Sequence, residues 1–128
     1  MRDDIPVELL DRIIDGDTVE SGGRRVRVDG VDTPERGRAL SGQATRFTEN
    51  FTRDGARVKP TGETGVFGRQ IADVENARGQ DLAFETIRQG LGRPRFENTD
   101  DPRTRAAQFV GGLDAQEGRF RPSEQEQS

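Results

Sequence analysis

Cysteine, histidine, tyrosine and tryptophan are all absent from this sequence of 128 residues. Without cysteine the chain forms no disulfide, and without cysteine and histidine it lacks the usual ligands of a zinc site. The absence of histidine also removes the side chain that most often serves as a general base. Any catalysis by this chain must therefore use carboxylates, arginines and a hard metal ion.

Long apolar runs are absent as well. No stretch approaches the ~20 consecutive apolar residues that a membrane-spanning helix needs. The amino terminus from Met1 to Pro6 lacks the apolar core of a signal peptide. We therefore expect a soluble chain that has no membrane partner and that lies in the cytoplasm or is carried within an assembly.

The sequence has no excess of basic residues, since its formal net charge is -4 and its pI is about 5.0. Proteins that coat nucleic acid non-specifically usually carry a broad basic face, so any phosphate site here must be local. Lys59 is the only lysine among the 20 basic residues. The planar fork of arginine suits phosphate because it donates two hydrogen bonds at once, although a GC-rich coding sequence explains the same bias.

A chain of this length has room for one domain, and a hydrophobic content of 29% implies a small core. We assign residues 1–120 to this domain. Residues 121–128 are polar and have no apolar period, which indicates a C-terminal tail.

The apolar pattern predicts an α+β domain that is mainly β. Alternating or continuous apolar residues, bounded by turn signals such as Gly22-Gly23, predict strands at 7–15, 17–21, 24–31, 57–61 and 67–76. Apolar residues at helical spacing predict three helices, which are capped at their amino ends by Ser41, Asp81 and Asp101. Gly90 or Gly92 is expected to end the second of them in the left-handed conformation. This order of elements suits a small barrel with about three helices packed on one side.

Residues that could carry chemistry occur in three places. The first is Asp15-Gly16-Asp17-Thr18, and the second is Arg27 followed by Asp32-Thr33-Pro34-Glu35. The third is Phe67-Gly68-Arg69, where an arginine opens a predicted strand. Each has an ordinary structural explanation, because Asp-Gly is common in hairpin corners and Asp-Thr-Pro-Glu is typical of a turn or a helix start.

Taken together, in this order and at this spacing, the three motifs resemble those of the staphylococcal nuclease-like (thermonuclease) family. Gln89-Gly90-Leu91, at the end of the second predicted helix, extends the similarity, which spans roughly residues 7 to 120. The resemblance implies a five-stranded OB-fold barrel with about three packed helices. It also implies a nuclease that acts on DNA and/or RNA.

The resemblance further implies a calcium site formed by the carboxylates of Asp17 and Asp32 and the main-chain carbonyl of Thr33. Oxygen ligands of this kind are those that calcium requires. The implied catalytic residues are Glu35, which activates or orients the attacking water, and the phosphate-binding arginines Arg27 and Arg69. Asp15 is expected to orient water molecules on the metal.

The sequence departs from the family at the substrate pocket, where relatives commonly have tyrosines. Phe67 and Phe96 stand at two matching positions and Asn98 at another. A phenylalanine ring still stacks on a base, which contributes about 1–3 kcal/mol per base. We therefore expect Phe67 and Phe96 to bind substrate with a weaker or altered preference.

Two functions are consistent with these observations. The first is a calcium-dependent phosphodiesterase in which water attacks the phosphodiester in line. The alternative is a non-catalytic OB-fold module that binds or supports a larger assembly, including a viral one, because a fold does not by itself determine a function.

Overall fold

The computed structural model describes residues 5–65 and 68–95. These residues form two helices and two sheets. The elements are β1 (Arg12–Asp15), β2 (Thr18–Ser21), β3 (Arg24–Val28), β4 (Gly30–Asp32), α1 (Ser41–Phe51), β5 (Ala56–Thr64), β6 (Gln70–Asn76), α2 (Leu82–Arg88) and β7 (Arg93–Arg95). The predicted α+β class is thus confirmed.

The larger sheet has five strands in the order β1-β2-β3-β6-β5, and β4 pairs with β7 in a separate two-stranded sheet. The β3 and β6 strands are parallel, whereas the other neighbouring strands are antiparallel. The edge strands β1 and β5 do not pair with each other within the described residues, so strand pairing does not close the sheet into a barrel. An isolated bridge joins Glu8 to Ala56, the first residue of β5.

The β2–β3 hairpin follows from the local sequence. Gly22 and Gly23 have φ angles of 60° and 76°, which a two-residue hairpin turn of this hand requires. The turn places Val19 opposite Val26, and both side chains are buried. The core consists mainly of small β-branched and aliphatic side chains, namely Val19, Val26, Val28, Val31, Ala56, Ala72, Val74, Leu82, Ala83 and Ile87.

Helix α1 packs its apolar stripe inward as predicted, with Ala44 buried and Phe47 stacked on Phe51. The prediction that Ser41 caps this helix is wrong. Leu40 precedes the first turn with φ 70°, and no side chain caps the helix. Ser41 is already helical because its N–H donates to the carbonyl of Arg38, which continues the preceding turn into the helix.

Helix α2 begins and ends as its sequence predicts. The carboxylate of Asp81 accepts a hydrogen bond of 2.8 Å from the N–H of Phe84, and Gly90 has φ 74°. The third predicted helix, the start of the strand predicted at 67–76, and the tail at 121–128 lie outside the described residues. No helix within the described part of the chain is long and apolar enough to cross a membrane.

Several strand predictions differ from the structure at their boundaries. The strand expected at 7–15 extends only from Arg12 to Asp15, with an irregular register between Ile13 and Asp15. The strand expected at 57–61 extends from Ala56 to Thr64, and the strand expected at 17–21 begins at Thr18.

The strand expected at 24–31 is divided at Asp29, whose N–H donates to the carbonyl of Ala72. After Asp29 the chain leaves the larger sheet, and β4 pairs with β7. Asp32 therefore lies opposite Arg93.

Candidate functional site

Arg27 is the centre of the site. Its side chain is only 9% exposed, although it lies on the face of β3 opposite to Val26 and Val28. The Nη1 atom donates hydrogen bonds of 2.7 Å to the carbonyls of both Val28 and Val31. The chain bends between β3 and β4, so these two carbonyls face the same guanidinium and fix its orientation.

The other terminal nitrogen of Arg27 faces two carboxylates. Its Nη2 atom lies 3.7 Å from Asp17 Oδ2 and 3.5 Å from Asp32 Oδ1. The register of the hairpin brings Asp17 close, because Thr18 pairs directly with Arg27 across β2 and β3. Asp32 is brought close because it ends β4, shortly after the bend. The structure thus joins three predicted site residues around one nitrogen.

Asp17 is held by hydrogen bonds on both of its carboxylate oxygens. The N–H of Thr33 donates to Oδ2 at 2.9 Å, and the hydroxyl of Thr18 donates to Oδ1 at 3.1 Å. Asp17 and Thr33 are both buried. The N–H of Thr33 therefore lies beside Asp17, while the role of the Thr33 carbonyl as a ligand remains a prediction.

Asp32 has a second arginine partner that sequence reasoning missed. Arg93 contacts Asp32 Oδ2 through Nε at 3.3 Å and Nη2 at 3.2 Å, and its side chain is half exposed. The two residues lie 61 positions apart and become neighbours because β4 pairs with β7. A strand of three residues such as β7 has too short an apolar pattern to be found from sequence.

Asp15 lies at the margin of this cluster. Burial and, to a smaller extent, the negative charge of Asp17 raise the pKa of the Asp15 carboxyl, while the charges of Arg36, Arg25 and Arg69 oppose that rise. The carboxylate is 4.0 Å from Arg36 Nη2. Asp15 thus carries a negative charge that the folded chain holds at a cost.

We expect Asp15→Asn to stabilise the metal-free protein at neutral pH. The folded chain raises the pKa of Asp15 above its ordinary 3.8, so the folded protein binds more protons than the unfolded chain between these two pKa values. The stability of the parent therefore falls as the pH rises from 3.8 through the pKa of the folded state. Melting temperatures in EDTA should therefore be higher for the variant at about pH 7 and equal to the parent's at about pH 3. A variant that melts below the parent at neutral pH would show that Asp15 makes a needed contact as an anion.

Gly16 has a steric role that its sequence context does not reveal. A Cβ atom at this position would lie 2.9 Å from the Cβ of Ala44 and 2.9 Å from Cγ2 of Thr33. The carbonyl of Gly16 also accepts a hydrogen bond of 2.8 Å from the Thr48 hydroxyl. Glycine is needed here because helix α1 and the Thr33 backbone approach the Asp15–Asp17 corner closely.

We expect Gly16→Ala to destabilise the protein by about 1–3 kcal/mol, the usual cost of overpacking a rigid site. Neither Ala44 nor Thr33 has a flexible end that could move aside. Denaturant unfolding of this variant can be compared with Gly37→Ala. At Gly37 a Cβ would meet no atom within 4 Å, although its φ of 90° also disfavours alanine. A loss at Gly16 no larger than the backbone strain seen at Gly37 would contradict the steric role.

Among the described residues, neither Glu35 nor Arg69 makes a hydrogen bond or ion pair with Arg27. Glu35 is exposed, and its carboxylate forms no ion pair with the described residues. Arg69 is partly buried and lines a separate depression with Arg24, Arg25 and Gly68. Phe67 and Phe96, the predicted substrate-binding residues, lie outside the described residues, as does Asn98.

The donor set can be tested for its fit to a metal ion. Among the described residues, no group of three or more His, Cys, Asp or Glu side chains could hold one. Asp17 and Asp32 nevertheless place two carboxylates within 4 Å of a single nitrogen of Arg27. Two carboxylates next to the Thr33 backbone fit a hard cation that binds weakly and takes its other ligands from water.

Searches of protein-family models and of curated proteins found no match to this chain. The geometry of the site must therefore support any function on its own. It provides a fixed guanidinium, two converging carboxylates and a backbone segment held beside them. Such a group suits an anionic ligand that is bound together with a cation.

Proposed function

We propose that this chain is a calcium-dependent nuclease of the staphylococcal nuclease-like type, which cleaves the phosphodiester bonds of DNA and/or RNA by in-line attack of water. One observation carries the proposal. The guanidinium of Arg27 is fixed by two carbonyls and points its Nη2 atom between the carboxylates of Asp17 and Asp32.

This arrangement gives Arg27 a preorganised orientation. A donor that is already fixed needs no reorganisation as negative charge gathers on a phosphoryl oxygen in the transition state. Burial strengthens the interaction, because water does not screen the guanidinium fully. Arg27 would thus stabilise the transition state more than the ground state, which is the condition for catalysis.

Asp17, Asp32 and the carbonyl of Thr33 would hold the calcium ion. When bound, the ion would act as a Lewis acid on the phosphodiester. Arg27 would then have an anionic partner in the substrate in place of the two carboxylates. The ion pairs of the metal-free chain thus hold the site together until substrate and cation arrive.

Glu35 would orient the attacking water. It follows Thr33 by two residues, and its exposed side chain is accessible to a solvent molecule. Asp15, beside Asp17, would accept hydrogen bonds from water molecules on the cation. As the resemblance implies, Arg69 would bind the phosphate. The rings of Phe67 and Phe96 would stack on bases of the substrate.

We also propose that the larger sheet is an OB-type barrel. The Glu8 N–H donates to the Ala56 carbonyl at 2.8 Å, and the Ala56 N–H donates to the Glu8 carbonyl at 2.7 Å. This pair of hydrogen bonds links the segment before β1 to β5 at the opposite edge of the sheet. Such a link supports a barrel that is closed by the segment before β1.

Cleavage assays on single-stranded DNA and on RNA, in millimolar calcium and in EDTA, test this proposal. We expect cleavage with calcium and none in EDTA. The matched control is an Asp17→Asn, Asp32→Asn double variant purified in parallel, because it keeps the shape of the site and reveals any contaminating nuclease. Equal cleavage in EDTA, or by the double variant, would contradict the proposal.

The second candidate function is a non-catalytic module that binds nucleic acid or protein within a larger assembly. One observation favours it, namely that the carboxylates of Asp17 and Asp32 are already paired with Arg27 and Arg93. Under this alternative, an oligonucleotide would bind with calcium present and remain intact.

A further inference from the structure

A second group of arginines lies outside the carboxylate cluster. Arg24, Arg25, Gly68 and Arg69 line an open depression of about 610 Å³. Its position follows from the sheet, in which β3 and β6 run parallel and Val26 pairs with Gln70. Arg25 and Arg69 each precede one member of this pair, so they lie side by side at the beginning of the two strands.

Glu20 compensates the charge of Arg25 only weakly. The Nε atom of Arg25 is 3.9 Å from Glu20 Oε2, at the limit of an ion pair, and its side chain is 58% exposed. The same Glu20 oxygen accepts a hydrogen bond of 3.0 Å from Arg12, so one carboxylate is shared by two arginines. Arg24 and Arg25 are also adjacent in sequence, and an anion beside them would relieve the repulsion between their like charges.

The depression and Arg27 are linked by strand β3. Arg25 lies two residues before Arg27 on this strand, so the two side chains are on the same face of the sheet. A nucleic-acid strand with one phosphate at Arg27 could therefore place a neighbouring phosphate at Arg25.

We propose that Arg24 and Arg25, next to Arg69, form a phosphate subsite that holds a second backbone phosphate of a single-stranded nucleic acid. The assignment of this subsite to a nucleic-acid strand rests on the proposed function. The subsite explains how a chain with a net charge of -4 could bind a polyanion, because its positive charge is concentrated beside the site of chemistry. Arg24 and Arg25 are binding residues that take no part in the reaction.

Fluorescence anisotropy of a labelled single-stranded oligonucleotide, measured in EDTA, tests the subsite without cleavage. An Arg24→Gln, Arg25→Gln double variant is expected to bind about 10-fold more weakly at low salt. The slope of log K against log salt should fall by about 0.7, since the subsite holds one phosphate and each phosphate contact on a single strand contributes about 0.7. Melting temperatures should not fall, because exposed side chains are replaced.

The matched control is Arg53→Gln, Arg78→Gln, which removes the same charge from exposed positions in the turns after α1 and β6. This control should bind with nearly the parent's affinity and slope. Equal losses in both double variants would overturn the subsite and show that only net charge matters. An Arg24→Lys, Arg25→Lys variant should keep most of the salt slope, and loss of the whole slope would also contradict a phosphate contact.

Competition by inorganic phosphate shows whether the subsite binds a nucleic-acid strand or a free anion. We expect millimolar phosphate to displace the oligonucleotide poorly, because a strand engages several contacts at once. Complete displacement at that concentration would overturn the assignment to a strand. Failure of the proposed function gives a different result. If the protein binds the oligonucleotide in EDTA but does not cleave it with calcium, the subsite is supported and the nuclease activity is contradicted.

Discussion

Arg27→Met is expected to lower the free energy of unfolding by about 3–5 kcal/mol in EDTA, because it leaves the buried carboxylate of Asp17 without its arginine. The side chains of Arg27 and Asp17 are only 9% and 13% exposed. The carbonyls of Val28 and Val31 would also lose their donor. Such a loss is a large part of the total stability of a small domain, so denaturant unfolding would detect it readily.

Arg25→Met provides the matched control on the same strand. Its side chain is 58% exposed, and we expect a change within about 0.5 kcal/mol of the parent. Calcium should recover part of the loss in Arg27→Met, because a cation that binds only the folded state stabilises it by mass action. A variant that unfolds like the parent in EDTA would show that the two carboxylates need no cation between them.

The second large effect concerns turnover. Arg27→Lys and Arg69→Lys should each slow cleavage by about 10²-fold or more at saturating calcium. Lysine keeps the charge but has one nitrogen, which cannot bond the Val28 and Val31 carbonyls and face a phosphate at the same time. Steady-state kinetics should place the loss in kcat, since the fixed guanidinium acts on charge that develops in the transition state.

Arg53→Lys, at an exposed position in the turn after α1, is the control for this pair and should cleave at the parent's rate. Circular dichroism would establish that each variant is folded. If Arg69→Lys cleaved normally but bound oligonucleotide more weakly, Arg69 would belong to the phosphate subsite alone. A normal rate for Arg27→Lys would remove Arg27 from the reaction.

The local features of the fold could be predicted from the sequence. Gly22-Gly23 predicts its hairpin because few other residue pairs adopt two positive φ angles. Asp81 predicts the start of α2 because its carboxylate satisfies an N–H that the first helical turn leaves unpaired. The alternation around Val26 predicts that Arg27 lies on the other face of β3, where the carboxylates are found.

Features that depend on distant parts of the chain could not be predicted in this way. Arg93 reaches Asp32 only because two three-residue strands pair, and neither strand has a period of its own. Arg25 and Arg69 become neighbours through the parallel pairing of β3 and β6. The need for glycine at position 16 comes from the approach of Ala44, which lies on helix α1. Each of these contacts is a tertiary one that local propensity does not encode.

The site residues also divide into those that local sequence positions and those that it does not. The spacing of Asp17, Arg27 and Asp32 in the motifs corresponds to a real cluster, because a tight hairpin and a single bend connect them. Glu35 is exposed in the turn that leads to α1 and is not positioned by contacts within the described residues. Its catalytic role therefore remains a prediction, as do the roles of Phe67 and Phe96.

The rate of single-stranded DNA cleavage as a function of free calcium shows whether Asp17, Asp32 and Thr33 form a catalytic calcium site. We expect a saturable rise with a midpoint on the order of 10⁻⁴–10⁻³ M, because only two carboxylates and one carbonyl would bind the ion. We also expect this rise to be lost in the Asp17→Asn, Asp32→Asn double variant. A rate that does not depend on calcium, or a double variant with the parent's calcium response, would contradict the proposed calcium site.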